Sequence, residues 1–290
     1  MTAHVLQWVL SELASQRRVV MATVLNTSGS VPGKTGARLA MSSHEQTWVG
    51  TVGGAGLEHR VLQRCRELLD VASQPFAEVL TYGLNKGAKG YEVTPLDSLC
   101  GGRVSIAVEV MIPMPHVHIM GGGHCGEALA TTLHGLGWDY SVHDTREAYV
   151  SEDKFPHAVE RSSASVAGVL EGETASTLGR FSDILLLGHD WAEDQERLLG
   201  LLQVLNQPDV VLDGKQHPRI GVIGSRSKWH AFEEAAREQG VLQALLNQVI
   251  CPIGLNIGAQ SPEEIAVAVA AQIMSLHKAV DPASPTWRQA

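Results

Sequence analysis

The stretch "HVHIMGGGHCGEAL", residues 116–129, decides how the chain is read. "HVHIM" reads as a short strand, and "CGEALATTLHGLG" continues as a helix beyond a glycine turn. Gly121, Gly123 and Gly126 stand in the G-x-G-x-x-G spacing of a dinucleotide-binding fingerprint. The first glycine permits the tight turn, the second lets backbone approach a bound group, and the third lets helix pack on strand. The helix start offers free N–H groups and the positive end of its dipole to an anion. Asp144 ends the next strand, "DYSVHD", near the roughly 20-residue offset of a ribose-binding acid. Arg146 follows it, as a phosphate ligand or as partner to an acid. Together these features predict a Rossmann-like domain.

Working outward, the same alternation runs on towards the C-terminus. "DILLLGHD" is a strand followed by a helix around Asp194 to Asn206, and "RIGVIGS" a strand followed by a helix around Trp229 to Gln239. "SPEEIAVAVAAQIMSLH" closes as a helix, with Ser261 as N-cap, Pro262 in the first helical position and Glu264 completing a capping box. Alternating elements with apolar strands imply a parallel sheet covered on both faces. On the N-terminal side, Pro113 and Pro115 in "PMPH" mark a linker. Before it come a helix around Val5 to Ser15, the strand "RVVMATVLNT", a Gly/Pro loop into a second strand, and the strand–turn–helix "WVGTVGGAGLEHRVLQRCRELLD". Leu57, Val61, Leu62, Cys65, Leu68 and Leu69 make that helix's apolar face. "AEVLTYGL" and "RVSIAVEVMI" then read as strands. The expected organisation is a mixed α/β domain over residues 1–112, a Rossmann-like parallel-sheet domain over 113–280 and a loose tail over 281–290.

Composition narrows the function classes. The chain has 290 residues and a formal net charge of -9, which disfavours general nucleic-acid binding because that needs a cationic face. No window approaches the roughly 18 apolar residues of a membrane span. The start "MTAHVLQWVLSELASQRR" lacks the basic n-region of a secretory signal. Cys65, Cys100, Cys125 and Cys251 form neither a CxxC pair nor a disulfide framework, so the expected setting is cytoplasmic, with reduced thiols.

Taken in order, "GSVPGKTGARLAM", "GTVGGAGLE", "CGGRVSIAVE", "HIMGGGHCGEAL", "VHDTRE", "LLLGHD", "GVIGSRSK" and "CPIGLNIGAQSPEEIAVAVAAQI" closely resemble the XdhC/CoxI family, the xanthine dehydrogenase accessory proteins. The resemblance runs from about Arg18 to Met274, and "PIGLNIGAQSPEEIAVA" is its most distinctive stretch. It implies an N-terminal family-specific domain and a C-terminal Rossmann-like domain. It also implies a chaperone of molybdenum hydroxylases, in the setting of purine catabolism. Such a protein binds molybdenum cofactor (molybdopterin), protects it, and delivers its sulfurated form to xanthine dehydrogenase. A cysteine desulfurase supplies the sulfur, and a homodimer is implied. This is a carrier's task rather than that of a turnover enzyme.

A carrier of an anionic pterin phosphate needs a phosphate cradle, partners for the pterin edge and exclusion of water. Three regions are candidates. The first is the loop from Gly121 to Gly126 with Asp144 and Arg146. The second is "GTVGGAGLE", where the backbone of Gly53, Gly54 and Gly56 suits an anion nest. Glu58 there either caps its helix or meets the pterin amino edge. The third is "GSRSK", where Ser225, Arg226 and Lys228 follow a strand, as a cradle or as a solvated turn. His189 in "LLLGHD" ends a strand, where it orders a loop or serves as a proton donor. Cys100, matching a cysteine recurrent in the family motif, is the candidate thiol for the metal or its sulfur, against the alternative of a small buried residue. Cys125 departs from the family, which more usually has an apolar residue there; at a helix start its thiolate is expected to be favoured. His116 and His118 point the same way from a strand, but no Cys or acidic ligand accompanies them at regular spacing, so no metal site is expected. Two other functions compete with the carrier. One is an NAD(P)-dependent oxidoreductase, carried by Gly121, Gly123, Gly126 and Asp144. The other is an adaptor that senses a nucleotide and docks a partner.

Overall fold

A computed structural model describes residues 2–71, 74–84, 93–96, 101–206 and 217–284. Cys100 and the last six residues of the expected tail lie outside these. The chain divides into two compact units, Met1–Pro113 and Met114–Ala290.

The first unit runs α1 (Thr2–Ala14), β1 (Val19–Ser28), β2 (Arg38–Ser42), β3 (Trp48–Gly50), α2 (Ala55–Val71), β4 (Phe76–Gly83), β5 (Val93–Pro95) and β6 (Arg103–Met111). Its strands form one sheet in the order β3-β2-β1-β6-β4-β5, antiparallel except where β5 joins β4. β1 lies at the centre, with Val20 opposite both Met41 and Val110. Alternation along β1 sends Val20, Ala22 and Val24 into the core against α2, and Val19 and Met21 towards Val5 and Val9 of α1. The apolar face expected on α2 is the face it buries, from Leu57 to Leu69.

The second unit runs β7 (His116–Met120), α3 (His124–Gly135), β8 (Asp139–His143), β9 (Arg161–Ser162), α4 (Val166–Leu170), α5 (Ala175–Leu178), β10 (Asp183–Leu186), α6 (Trp191–Leu205), β11 (Arg219–Val222), α7 (Arg226–Glu238), α8 (Gln243–Leu246) and α9 (Pro262–His277). All five strands are parallel, in the order β11-β10-β7-β8-β9. The chain starts in the middle, winds outward through β8 and β9, then crosses back to β10 and β11. This is a doubly wound Rossmann sheet, and its topological switch point lies between β7 and β10. One face buries Val117 and Ile119 with Leu129, Leu133, Val269 and Ile273. The other buries Met120, Ile184 and Leu186 with Leu198, Leu202 and Phe232.

Helix starts follow their caps. Ser261 and Glu264 form the expected reciprocal box, with Pro262 in the first helical turn. Two helices begin three residues earlier than the apolar period alone suggests. Asp190 accepts from the Glu193 amide at 2.9 Å and starts α6 at Trp191. Ser225 accepts from the Lys228 amide at 3.3 Å and starts α7 at Arg226. "GSRSK" is therefore the opening turn of a helix rather than a free turn. The strands β5 and β9 and the helices α4, α5 and α8 have no counterpart in the sequence reading. At two to five residues each, they are too short to carry a period.

Candidate anion-binding crevice

The glycines after β7 divide into those that close the turn and one that leaves it open. Gly121 has φ +128 and donates its amide to the His143 carbonyl at 2.8 Å, which ties the turn to β8. A Cβ on Gly122 would stand 1.9 Å from the Tyr149 carbonyl oxygen, and one on Gly126 2.1 Å from that of Gly121. A Cβ on Gly123 would meet nothing within 4 Å. Gly123 is also the N-cap of α3, and no side chain caps that helix. The first amides of α3 thus have no capping side chain, as an anion cradle requires. Glu127, the acid of the first turn, is bound by Lys154 at 2.7 Å.

Asp144 stands at the end of β8, buried, with its carboxylate turned to the protein. It accepts four hydrogen bonds: one from the Gly122 amide, one from the Arg146 amide and two from the Arg146 guanidinium, between 2.8 and 3.1 Å. An ionised carboxylate offers about four acceptor positions, so none is left for a ribose diol in this arrangement. Burial pushes the acid up, but these hydrogen bonds outweigh it and hold Asp144 at about 2. What faces outward here is Arg146. Its guanidinium lies 3.7 Å over the Tyr149 ring, and its Nη1 donates to Nε2 of the exposed His189 at 3.3 Å. The contact spans from the end of β8 to the end of β10, beside the switch point. A cation thus stands where dinucleotide folds present a carboxylate.

Below His189 lies a charge cluster that sequence reasoning missed. Asp194 and Arg197 of α6 are fully buried and joined at 3.1 Å. Lys228 of α7 donates to the other Asp194 oxygen at 2.8 Å and to the Ile223 carbonyl at 3.2 Å. Glu193 pairs with Arg197 at 3.1 Å and accepts from the Thr145 hydroxyl. A Cβ on Gly188 would stand 2.1 Å from Asp194 Oδ1, so the turn after β10 rests directly on this cluster. Lys228 is therefore committed to the interior, while Ser225 and Arg226 are exposed. The available signal was the i, i+3 spacing of Asp194 and Arg197 on a helix whose neighbours are leucines.

The first unit gathers a separate set of glycine turns. A Cβ on Gly53 would meet Gly33 at 2.5 Å, one on Gly54 the Pro32 ring at 2.5 Å, and one on Gly102 the Ser28 carbonyl at 2.5 Å. The motifs "GSVPGKTG", "GTVGGAG" and "GG" before β6 thus converge at one end of the sheet, packed on each other. Gly56 has open space around it. Glu58 accepts from the Thr51 hydroxyl, and Thr51 in turn accepts the Gly53 amide at 3.1 Å. Glu58 braces its loop rather than capping a helix amide.

Of the other sequence candidates, Cys125 is half-buried. Burial pushes its thiol up, and the Glu263 carboxylate adds to this, against the expected favoured thiolate. Burial outweighs the helix start. His116 Nε2 lies 2.8 Å from the Ser141 hydroxyl, and His118 stacks on Phe181. Among the described residues no group of three metal-ligating side chains occurs, and no helix is long and apolar enough to cross a membrane.

Strand order, the uncapped helix start and the guanidinium beside the switch point define a class: a doubly wound Rossmann domain, preceded in the chain by a mixed six-stranded unit. The chain belongs to the XdhC/CoxI family. Residues 117–273 match the XdhC Rossmann domain, and residues 12–83 match the XdhC and CoxI family. It is 28% identical over 256 residues to the uncharacterized protein YqeB of Escherichia coli (strain K12). That match takes in 88% of this chain but 43% of YqeB, so the chain spans less than half of that relative's length. Among solved structures it is similar to a Bacillus halodurans protein described as a xanthine dehydrogenase, at 20% identity and a TM-score of 0.47, covering 97% of this chain and 98% of that one. It is also similar to the NAD(P)-binding domain of an exopolyphosphatase-related protein from Archaeoglobus fulgidus, at 17% identity and a TM-score of 0.34, covering 57% and 98%.

Proposed function

We propose that this chain is an accessory protein of molybdenum-hydroxylase maturation. It carries molybdenum cofactor as cargo and passes the sulfurated form to xanthine dehydrogenase, with a cysteine desulfurase supplying the sulfur. Family membership supports the accessory role. The observation that carries the cargo assignment is the pairing of an uncapped, open helix start at Gly123 with Arg146 in place of a free carboxylate. A terminal phosphate fits such a pair, because amide donors and a guanidinium both favour the dianion. The chain's residues then bind, orient and shield. Gly123 and the α3 amides hold the phosphate, Arg146 offers it a hydrogen bond while staying paired with Asp144, and the Asp194 cluster keeps the neighbouring turn in place. The carrier works in the cytoplasm as a homodimer.

The test is retention. Full-length protein purified from cells that make the cofactor is oxidised, and the released pterin is read by fluorescence. Stoichiometric pterin in the wild type, lost in a folded Gly123→Asp variant, is the expected result. A wild-type protein without pterin, together with fully active xanthine dehydrogenase in cells lacking this chain, overturns the reading.

An NAD(P)-dependent oxidoreductase is the reading favoured by strand order alone. The saturated Asp144 weighs against it. Calorimetry with oxidised and reduced nicotinamide nucleotides separates the two. A nucleotide that binds without turnover and changes partner affinity would favour the adaptor reading instead.

A further inference from the structure

On the sheet face opposite α3 lies a cavity of about 230 Å³ that none of the preceding assignments uses. Met120, Val142, Val169, Leu178 and Leu201 give it apolar walls, and His118 and Phe181 present rings to it. The two rings are stacked, with centroids 4.6 Å apart. His118 sits mid-strand on β7, paired with Ser141 of β8 and Ile184 of β10, and is 7% exposed. Its Nδ1 is buried and has no partner among the described residues. Burial pushes the imidazole down to about 3, so the ring stays neutral. A neutral imidazole carries one donor and one acceptor, and leaving Nδ1 unmet in the interior forfeits its hydration without replacement.

The mouth of the cavity sets the charge of what enters. Arg180 is held by Glu173 at 2.7 and 3.0 Å and lies 3.4 Å from Glu160. Its guanidinium covers the Phe181 ring at 4.2 Å. Two carboxylates against one guanidinium leave the rim net negative, with the cation already engaged. An anion is disfavoured there, and the apolar walls disfavour a strongly hydrated cation.

We propose that this cavity is a binding site for a small uncharged aromatic molecule, of one or two fused rings, whose N–H or O–H group hydrogen-bonds to His118. The volume suits a bicyclic ring, since at interior packing density it accepts about 170 Å³ of atoms. The ring edges of His118 and Phe181 give an aromatic guest offset or edge-on contacts. The site is distinct from the anion crevice and does not depend on the carrier function.

Indole and indene are the probes, because they share a shape and only indole has an N–H. Binding to the full chain is followed by ligand-observed NMR together with the ¹⁵N resonances of the His118 ring. Indole is expected to bind about ten-fold tighter than indene, as one hydrogen bond implies, and to shift the His118 resonances. His118→Phe removes the preference. Val169→Phe, which fills the cavity from the surface helix α4, abolishes binding of both probes with the imidazole left in place. Equal affinities, binding unaffected by Val169→Phe, or no binding of either probe because water alone occupies the cavity, each overturns the site.

Discussion

The glycine turn after β7 and the glycine turns that meet at one end of the first sheet read alike as sequence, but their glycines face different things. After β7, Gly122 and Gly126 are jammed against carbonyl oxygens and Gly123 faces nothing. In the first unit, Gly33, Gly53, Gly54 and Gly102 are jammed against neighbouring loops, while Gly36, Gly56 and Gly101 are open positions. Close loop packing thus explains most of the first cluster without a ligand. The second unit adds an oriented guanidinium and a switch point to its open glycine. The comparison teaches that glycine spacing locates tight turns, whereas the space left over locates a ligand.

The largest expected effect tests the support under the crevice. Asp194→Ala leaves the buried Arg197 and the part-buried Lys228 without their shared anion, and the unfolding free energy of the second unit should fall by about 3–5 kcal/mol in urea titration. A loss below about 1 kcal/mol would show that the cluster relaxes to water and does not brace the Gly188 turn. Next come the jammed glycines. Gly122→Ala and Gly33→Ala should each cost about 1–3 kcal/mol, because their Cβ atoms would lie 1.9 and 2.2 Å from carbonyl oxygens of fixed backbone. By contrast Gly56→Ala, in the first turn of α2, should gain about 0.5–1 kcal/mol. Equal responses at Gly33 and Gly56 would dissolve the distinction between closed and open positions.

Much of this was legible in the sequence because it rests on local rules. The strand, turn and helix at 116–135, the buried face of α2 and the capping box at Ser261 each follow from a period or a spacing. The rest depends on partners distant in sequence. Arg146 is near Asp144 in the chain, yet its contact with His189 spans 43 residues. Lys228 reads in the sequence as part of an anion cradle or of a solvated turn, and only the fold turns it onto Asp194, 34 residues away. His118 reads in the sequence only as a strand residue with no metal site expected, and the sheet places it beside Phe181, lining a cavity. Tertiary pairing of charges and the placing of empty space leave no periodic trace.

The open position has its own functional consequence. Gly123→Asp adds a carboxylate where the structure has room, so stability should change by under about 0.5 kcal/mol. Pterin retention should nevertheless fall at least about ten-fold, since a like charge displaces the phosphate. Arg146→Ala sharpens the contrast with dinucleotide binders. It removes the cation and two of the four hydrogen bonds on Asp144, those from the guanidinium, while keeping both amide donors. Pterin retention should drop and calorimetric affinity for NAD should rise, each by a few-fold. A fall in both, with the fold intact, would mean that Arg146 orders the loop rather than selecting the ligand.

The smallest effect is a pH dependence. Asp144 has its carboxyl held at about 2 in the folded protein, against an ordinary value of 3.8. The folded state therefore binds the proton less readily than the unfolded chain. The resulting stability is fully present above about pH 4 and is lost as pH falls through 2. The shift caps the contribution at about 2 kcal/mol, and the partial exposure of Arg146 reduces it further. Asp144→Asn should flatten this part of the acid limb when its unfolding is compared with wild type between pH 4 and pH 2. It should also leave the limb above pH 5 parallel. An unchanged acid limb would mean that the four hydrogen bonds on Asp144 are replaced by water at no cost, and that the inward-turned carboxylate is not what keeps Arg146 facing the crevice.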